Sequence, residues 1–249
     1  MNTKIHDLTL WGHKVKISDE QHSTTPGFIE RDINLDTHAC RLLHPKPKVI
    51  VDIGANVGIW SLAMAKQYPD AQIFAVEPTE HNMANLRYNC ELNEVKSVTP
   101  VLHSIYSEAG NLTLYQNPSN SGSCSMFLVN DMLEPINTKA ITLDGLIDLL
   151  PVKHIDLLKM DVEGCEYQIF NAFTRWNRVS KVTIEAHILP LHADKKENAR
   201  LSVEIIERFY KFLCEKLGTR NVCVQGPTYS YEWGRKVELP PEYIDPEIL

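Results

Sequence analysis

Between residues 49 and 58 the chain runs V-I-V-D-I-G-A-N-V-G, an apolar stretch that ends in a carboxylate and a glycine turn. A strand that turns on glycines straight into a helix belongs to a parallel α/β sheet, where backbone approaches a ligand closely at the carboxyl edge of the strands. The turn is not a dinucleotide fingerprint. G-x-G-x-x-G needs its middle glycine to make room for a pyrophosphate, and Asn56 occupies that position, after Gly54 and Ala55 and before Val57 and Gly58. Asp52, just ahead of the turn, would repel a diphosphate and attract a cation. S-adenosylmethionine (SAM) has no phosphate, a sulfonium and an α-amino group, so the turn fits SAM better than NAD.

A second strand, Q-I-F-A-V-E over residues 72–77, ends in Glu77 before Pro78. An acid at the tip of the second strand is placed to accept hydrogen bonds from both ribose hydroxyls. Glu77 therefore supports a nucleoside ligand, while Asp52 and Asn56 choose between SAM and NAD. A lone acid of either kind reads better as a helix cap or a solvated loop residue; two at this spacing, after consecutive apolar strands, favour a ligand.

From there strands and helices alternate. The spacing predicts helices over 58–67 and 80–92 (with Thr79 as N-cap), and a third strand over 97–103. Residues 111–142 interrupt the pattern: 112–115 and 139–142 alternate like strands around a turn at 119–123, a β-rich insertion that reads either as a lid or as an edge hairpin. A helix over 143–150, strands over 155–160 and 181–185, an amphipathic helix over 195–217 stopped by Gly218, and two closing strands at 221–225 and 235–239 follow. The first 45 residues show only a turn at 24–27 and a short helix near 36–43. The division expected is an N-terminal extension, 1–45, packing on a catalytic domain, 46–249. Five polar residues, Asp52, Glu77, His103, Asp161 and His187, fall at strand tips, where such sheets bind ligands.

Composition narrows the partners. Net charge is −7 and pI near 5.8, without the basic face that nucleic-acid binding usually shows, so no nucleic-acid partner is expected. No apolar run approaches the ~18–20 residues of a bilayer span, and the first residues lack an apolar leader. Cys40, Cys90, Cys124, Cys165, Cys214 and Cys223 are scattered without paired spacing, as in a reduced cytoplasmic protein.

The blocks V-D-I-G-A-N-V-G (51–58), A-V-E-P (75–78), T-L-D (142–144) and I-D-L-L-K-M-D-V-E-G-C-E (155–166) together resemble the FkbM family of class I SAM-dependent methyltransferases. The resemblance covers about residues 49–187. It implies a Rossmann-like, seven-stranded, mostly parallel sheet with an antiparallel last strand and helices on both faces. It implies that Gly54, Ala55, Asn56 and Gly58 wrap the methionine part of SAM above Asp52, that Glu77 holds the ribose, and that Ser104 and Ile105 flank the adenine. It also implies O-methylation of a hydroxyl on a sugar, glycan or other small-molecule acceptor, releasing S-adenosylhomocysteine. Cys165 replaces the usual alanine of the motif, a small-for-small change.

Removing a hydroxyl proton needs a base. Asp161 is the first candidate, and reads equally as N-cap of the following helix. Glu163 is the second, or else a favourable charge at that helix's start. His187, with an ordinary pKa near ~6.5, suits the task, or packs as a loop histidine. Asp161, Glu185, His187 and His192 could together meet a divalent metal, but their spacing matches no fixed ligand motif, so none is assigned as a ligand. Trp60, Tyr106, Tyr115 and Trp233 could stack on a substrate ring or simply pack. Three other functions compete, one of them a module that holds SAM without transferring methyl. A nucleic-acid N-methyltransferase would carry an Asn/Asp-Pro-Pro-aromatic tetrad where this chain has Asp161, Val162, Glu163 and Gly164. An NAD-dependent oxidoreductase would need the missing middle glycine.

Overall fold

A computed structural model of the chain describes residues 3–116, 122, 124–125, 134–187 and 195–228. The chain opens with β1 (Thr3–Leu10) and β2 (His13–Glu20), then α1 (Thr25–Asn34). The alternating part follows: β3 (Val49–Ile53), α2 (Ile59–Gln67), β4 (Gln72–Glu77), α3 (Glu80–Leu92) and β5 (Val98–Leu102). Four short strands interrupt it, β6 (Ser104–Ile105), β7 (Gly110–Gln116), β8 (Cys124–Ser125) and β9 (Glu134–Ile141). It resumes with α4 (Leu143–Leu149), β10 (Leu157–Met160), α5 (Glu166–Ala172), β11 (Val182–His187), α6 (Lys195–Leu217) and β12 (Val222–Thr228).

The main sheet has the order β12-β11-β10-β3-β4-β5, and every pairing in it is parallel. The closing strand expected at 235–239 lies outside the described residues. Chain order reverses between β3 and β10, and ligands of open α/β sheets bind in the crevice at such a reversal. Alternation of side chains along each strand divides the core in two. Ile50, Ile73, Ala75 and Leu157 pack with α2, α3 and the N-terminal hairpin, whereas Val51, Ile53, Phe74, Leu158, Met160 and Ile184 pack with α4, α5 and α6.

The N-terminal segment departs from its sequence reading. Leu8, Leu10, Val15 and Ile17 alternate inward across a hairpin closed by Trp11 and Gly12, both at positive φ, the geometry of a two-residue turn. The turn expected at 24–27 is the start of α1, with Pro26 in the first helical turn, where its missing N–H is harmless. The helix expected at 36–43 does not form. Asp36 and Ala39 adopt positive φ, and the Asp36 carboxylate accepts from the Cys40 and Arg41 amides. Asn89 of α3 ties the hairpin to the sheet by accepting from Ser18 N and donating to the Ser18 and Val57 carbonyls.

Candidate active site

The turn after β3 is held from three sides. Gly54 N and Ala55 N both donate to the Val76 carbonyl, and Asn56 N donates to Glu77 Oε2 at 3.0 Å. Gly54, Asn56 and Gly58 all have positive φ. At Gly54 the fold also demands the missing side chain, since a Cβ there would stand 1.7 Å from the Asp161 carbonyl oxygen. Ala55 is buried beneath the turn.

Glu77 is almost fully buried. Its Oε1 accepts from Thr79 N (3.1 Å), Thr79 Oγ1 (2.8 Å) and Asn82 Nδ2 (3.1 Å). Burial pushes its pKa up, against the pull of these bonds. The carboxylate is thus fixed in orientation beside the turn, its Oε2 edge meeting Asn56. Thr79 caps α3 as its position predicts.

Asp52 lies on the α2 side of the sheet, wholly buried, and accepts from Ser61 Oγ at 2.6 Å. In register, Lys159 of β10 pairs with Asp52 on one side and Thr183 of β11 on the other. The Lys159 ammonium, itself buried, lies 3.3 Å from Asp52 Oδ1 and 3.2 Å from Asp161 Oδ2, with the Trp60 ring 5.9 Å away. Burial alone would lower the ammonium pKa, but Asp161 and Asp52 outweigh it and hold it above the usual lysine range. Asp52 is therefore a counter-ion beneath the turn, and Trp60 packs against that ion pair and against His38.

One residue further along the same face, the tips of β10 and β11 meet. His187, 5% exposed, is hydrogen-bonded through Nδ1 to Glu166 Oε1 at 3.0 Å. The same oxygen accepts from Val162 N and Gly164 N. The other ring nitrogen, Nε2, faces Glu163 Oε2 at 3.4 Å, Asp161 Oδ1 at 3.9 Å and Glu185 Oε1 at 4.0 Å. Burial opposes charge on every member, and neighbours decide the outcome. At Asp161 burial raises the pKa, yet Lys159, His187 and His38 bring it below the usual carboxylate range. At Glu163 burial dominates over His187, and with Asp161 and Glu185 nearby pushes the pKa up to about 8. At His187 burial is outweighed by Glu163 and Glu166, leaving the pKa well above the usual value.

Helix α5 starts only at Glu166, with Cys165 at its N-cap. Asp161 is therefore not its cap, nor is Glu163 the charge in its first turn; Glu166 fills that role. Glu163 sits instead at φ 58°, followed by Gly164 at φ 113°, in a tight turn that returns its carboxylate toward His187.

The remaining expected residues lie elsewhere. Ser104 and Ile105 are buried in β6, paired with Ala140 and Ile141 of β9, and the Ser104 and Thr138 hydroxyls are 2.5 Å apart. His103 follows β5, three strands from β10 and so roughly 14 Å away at ~4.8 Å per strand. Tyr106 packs on the α5 side of the core. His192 and Trp233 lie outside the described residues, as do all but residue 122 of the 119–123 turn. A cleft of about 480 Å³ lined by Pro47, Asp156, Lys181 and Asn221 opens at the amino ends of the strands, the wrong end for this chemistry. Sequence reasoning passed over Lys159 and Glu166. The signal for Lys159 was a lysine inside the apolar run L-L-K-M of a central strand, where a cation requires an anion.

Comparison with known proteins bears on this geometry. The family model described as "Methyltransferase FkbM domain" matches residues 52–217. The chain is 30% identical to methyltransferase sdnD of Sordaria araneosa, over 64% of this chain and 73% of that protein. It is 27% identical to the 31-O-demethyl-FK506 methyltransferase FkbM of Streptomyces tacrolimicus, over 64% and 74% of the two chains. It is 26% identical to the hexuronic acid methyltransferase AglP of Haloferax volcanii, over 70% and 73%.

Proposed function

This chain belongs to the FkbM methyltransferase family, and from that premise we propose that it transfers the methyl group of SAM to a hydroxyl of a sugar, glycan or other small-molecule acceptor. The observation that carries the reading is the convergence of Asp161, Glu163 and His187 on one face of the sheet, against the Gly54 turn at the strand-order reversal. The turn supplies a cradle for the methionine part, Asp52 with Lys159 the rigid floor beneath it, and Glu77 an acceptor for the ribose. Ser104 and Ile105 are assigned to the adenine edge. Residues 1–45 are assigned as an extension packed on the catalytic domain, 46–249, with 111–142 as its β-rich insertion.

In the reaction the acceptor oxygen attacks the methyl carbon in line with sulfur. The S–CH₃ bond breaks with its electron pair going to sulfur, leaving S-adenosylhomocysteine. The hydroxyl proton passes to the Asp161–Glu163–His187 cluster. Alignment supplies up to roughly 7–11 kcal/mol and proton removal typically ~10²–10⁴-fold. The names of two relatives, a hexuronic acid methyltransferase and a 31-O-demethyl-FK506 methyltransferase, favour oxygen as the acceptor atom. Among the described residues no helix is long and apolar enough to cross a membrane.

The test is calorimetric titration of SAM and S-adenosylhomocysteine, with NAD as control, on the wild type and on Glu77→Ala. Binding of both sulfur compounds that Glu77→Ala abolishes is expected, followed by methyl transfer in a screen of hydroxylated sugars. Binding of NAD in place of SAM would overturn the reading.

A further inference from the structure

Three side chains at the tips of β10 and β11, Asp161, Glu163 and His187, each offer one ligand atom, and these atoms lie within 4.8 Å of one another. We propose that they form a site for a divalent first-row cation that accepts both imidazole nitrogen and carboxylate oxygen. The proposal rests on the reading that the acceptor hydroxyl is activated at this cluster, and adds what activates it.

The argument starts from the histidine. Its ring is buried, and its two nitrogens are not equivalent: Nδ1 is taken by Glu166, whose Oε1 is itself pinned by two backbone amides. A metal-ligating histidine characteristically gives its second nitrogen to such a carboxylate, which fixes both ring orientation and tautomer. With Nδ1 directed at Glu166, Nε2 is left to face Glu163 and Asp161, where a metal ion would take the place of a ring proton. The Glu163 oxygen is 3.4 Å and the Asp161 oxygen 3.9 Å from that nitrogen. One imidazole nitrogen and two carboxylates gathered this closely favour a positive charge among them, and a divalent ion would supply it.

The distances suit a cation in that gap. Two ligands each about 2.1 Å from a common ion are roughly 3.0 Å apart at a right angle and roughly 4.2 Å apart when opposite; the observed 3.4 and 3.9 Å fall inside that range. The donor set, one imidazole and two carboxylates, suits ions such as Mn²⁺ or Fe²⁺ better than an all-oxygen site would. Lys159 and Asp52 leave the site its charge: the ammonium neutralises Asp52 and the inner oxygen of Asp161, so Asp161 Oδ1 remains directed at the gap. An ion there would lower the pKa of a bound acceptor hydroxyl.

The experiment uses Mn²⁺ alone as probe. The chain of residues 1–249, stripped with a chelator, is titrated with Mn²⁺ while the free-ion electron paramagnetic resonance signal is followed, in the absence of SAM. One equivalent bound per chain is expected. His187→Gln and Asp161→Asn are each expected to weaken binding at least tenfold. Glu166→Gln, which touches no ion, is expected to weaken it ~10–100-fold through the ring it orients. SAM binding, read by calorimetry on the same samples, separates this proposal from the functional one. A wild-type protein that binds SAM yet leaves millimolar Mn²⁺ free overturns the metal site alone. Stoichiometric Mn²⁺ binding untouched by all three substitutions overturns it too, by placing the ion elsewhere.

Discussion

Gly54 and Asp161 are in backbone contact: a Cβ on Gly54 would stand 1.7 Å from the Asp161 carbonyl oxygen. The turn proposed to cradle the cofactor and the strand tip proposed to meet the acceptor are therefore one rigid unit, joined at the point where the strand order reverses. Asp161 N closes the unit by donating to the Ile53 carbonyl.

Gly54→Ala tests that rigidity. The residue has φ +78°, a conformation that costs an L-residue about 1–2 kcal/mol, and the new methyl must displace backbone, with overpacking adding about 1–3 kcal/mol. A loss on the order of 2–5 kcal/mol in urea unfolding is expected, together with loss of SAM binding. A change in midpoint too small to measure, with SAM still bound, would mean that the two loops move apart freely.

Lys159 makes a second prediction. It is the cation between the buried carboxylate of Asp52 and the half-buried one of Asp161, and removing one member of a buried ion pair typically costs about 3–5 kcal/mol because the other charge stays behind. Lys159→Met is expected to destabilise by that amount, and adding Asp52→Asn should recover part of it. Denaturant midpoints of the two single variants and the double variant give the coupling. Simple additivity would mean that Lys159 and Asp52 do not depend on each other.

The alternating part of the fold was legible because its physics is local. An apolar run with a glycine turn after it makes β3 and its helix, and the boundaries of α3 and α6 match their sequence reading. What the sequence hid are features made by distant residues. The hairpin was missed although Leu8, Leu10, Val15 and Ile17 alternate, since the run is short, Ile5 lies out of phase with it, and the inward position after Ile17 is the buried but polar Asp19. Glu166, not Glu163, is the helix-start acid, and its bond to His187 joins the start of α5 to the end of β11 across 21 residues of chain, which no local pattern announces. His103 shares the strand-tip position of Asp161 and not its place in the sheet, because strand order, not chain order, decides which tips are neighbours.

Asn89 offers a third test. It is fully buried, and its amide serves Ser18 N, Ser18 O and Val57 O at 2.7–3.0 Å. Asn89→Ala leaves three backbone groups without their protein partner, each costing about 1–3 kcal/mol if water cannot replace it. A loss of about 3 kcal/mol is expected, with faster amide hydrogen exchange concentrated in residues 13–20. Uniform acceleration across the whole chain would show instead that the hairpin and the sheet unfold as one unit.

The last prediction concerns acid. His38 is buried behind the sheet; Thr183 Oγ1 donates to the His38 carbonyl and so accepts from the ring at Nδ1, 3.2 Å away. Burial, with Lys159 adding to it, lowers the His38 pKa to about 4, against roughly 6.5 in an unfolded chain. Between those values the unfolded chain binds the extra proton, so stability rises with pH there. The contribution is complete above about pH 6.5 and is lost progressively as pH falls toward 4. From pH 7.5 to 5 the loss traceable to this ring is on the order of 2 kcal/mol, taking ~1.4 kcal/mol per unit. His38→Gln keeps a polar group of similar size that does not titrate, and its unfolding free energy should fall by that much less over the same interval. Equal slopes for the two proteins would mean that the buried ring takes up its proton without unfolding.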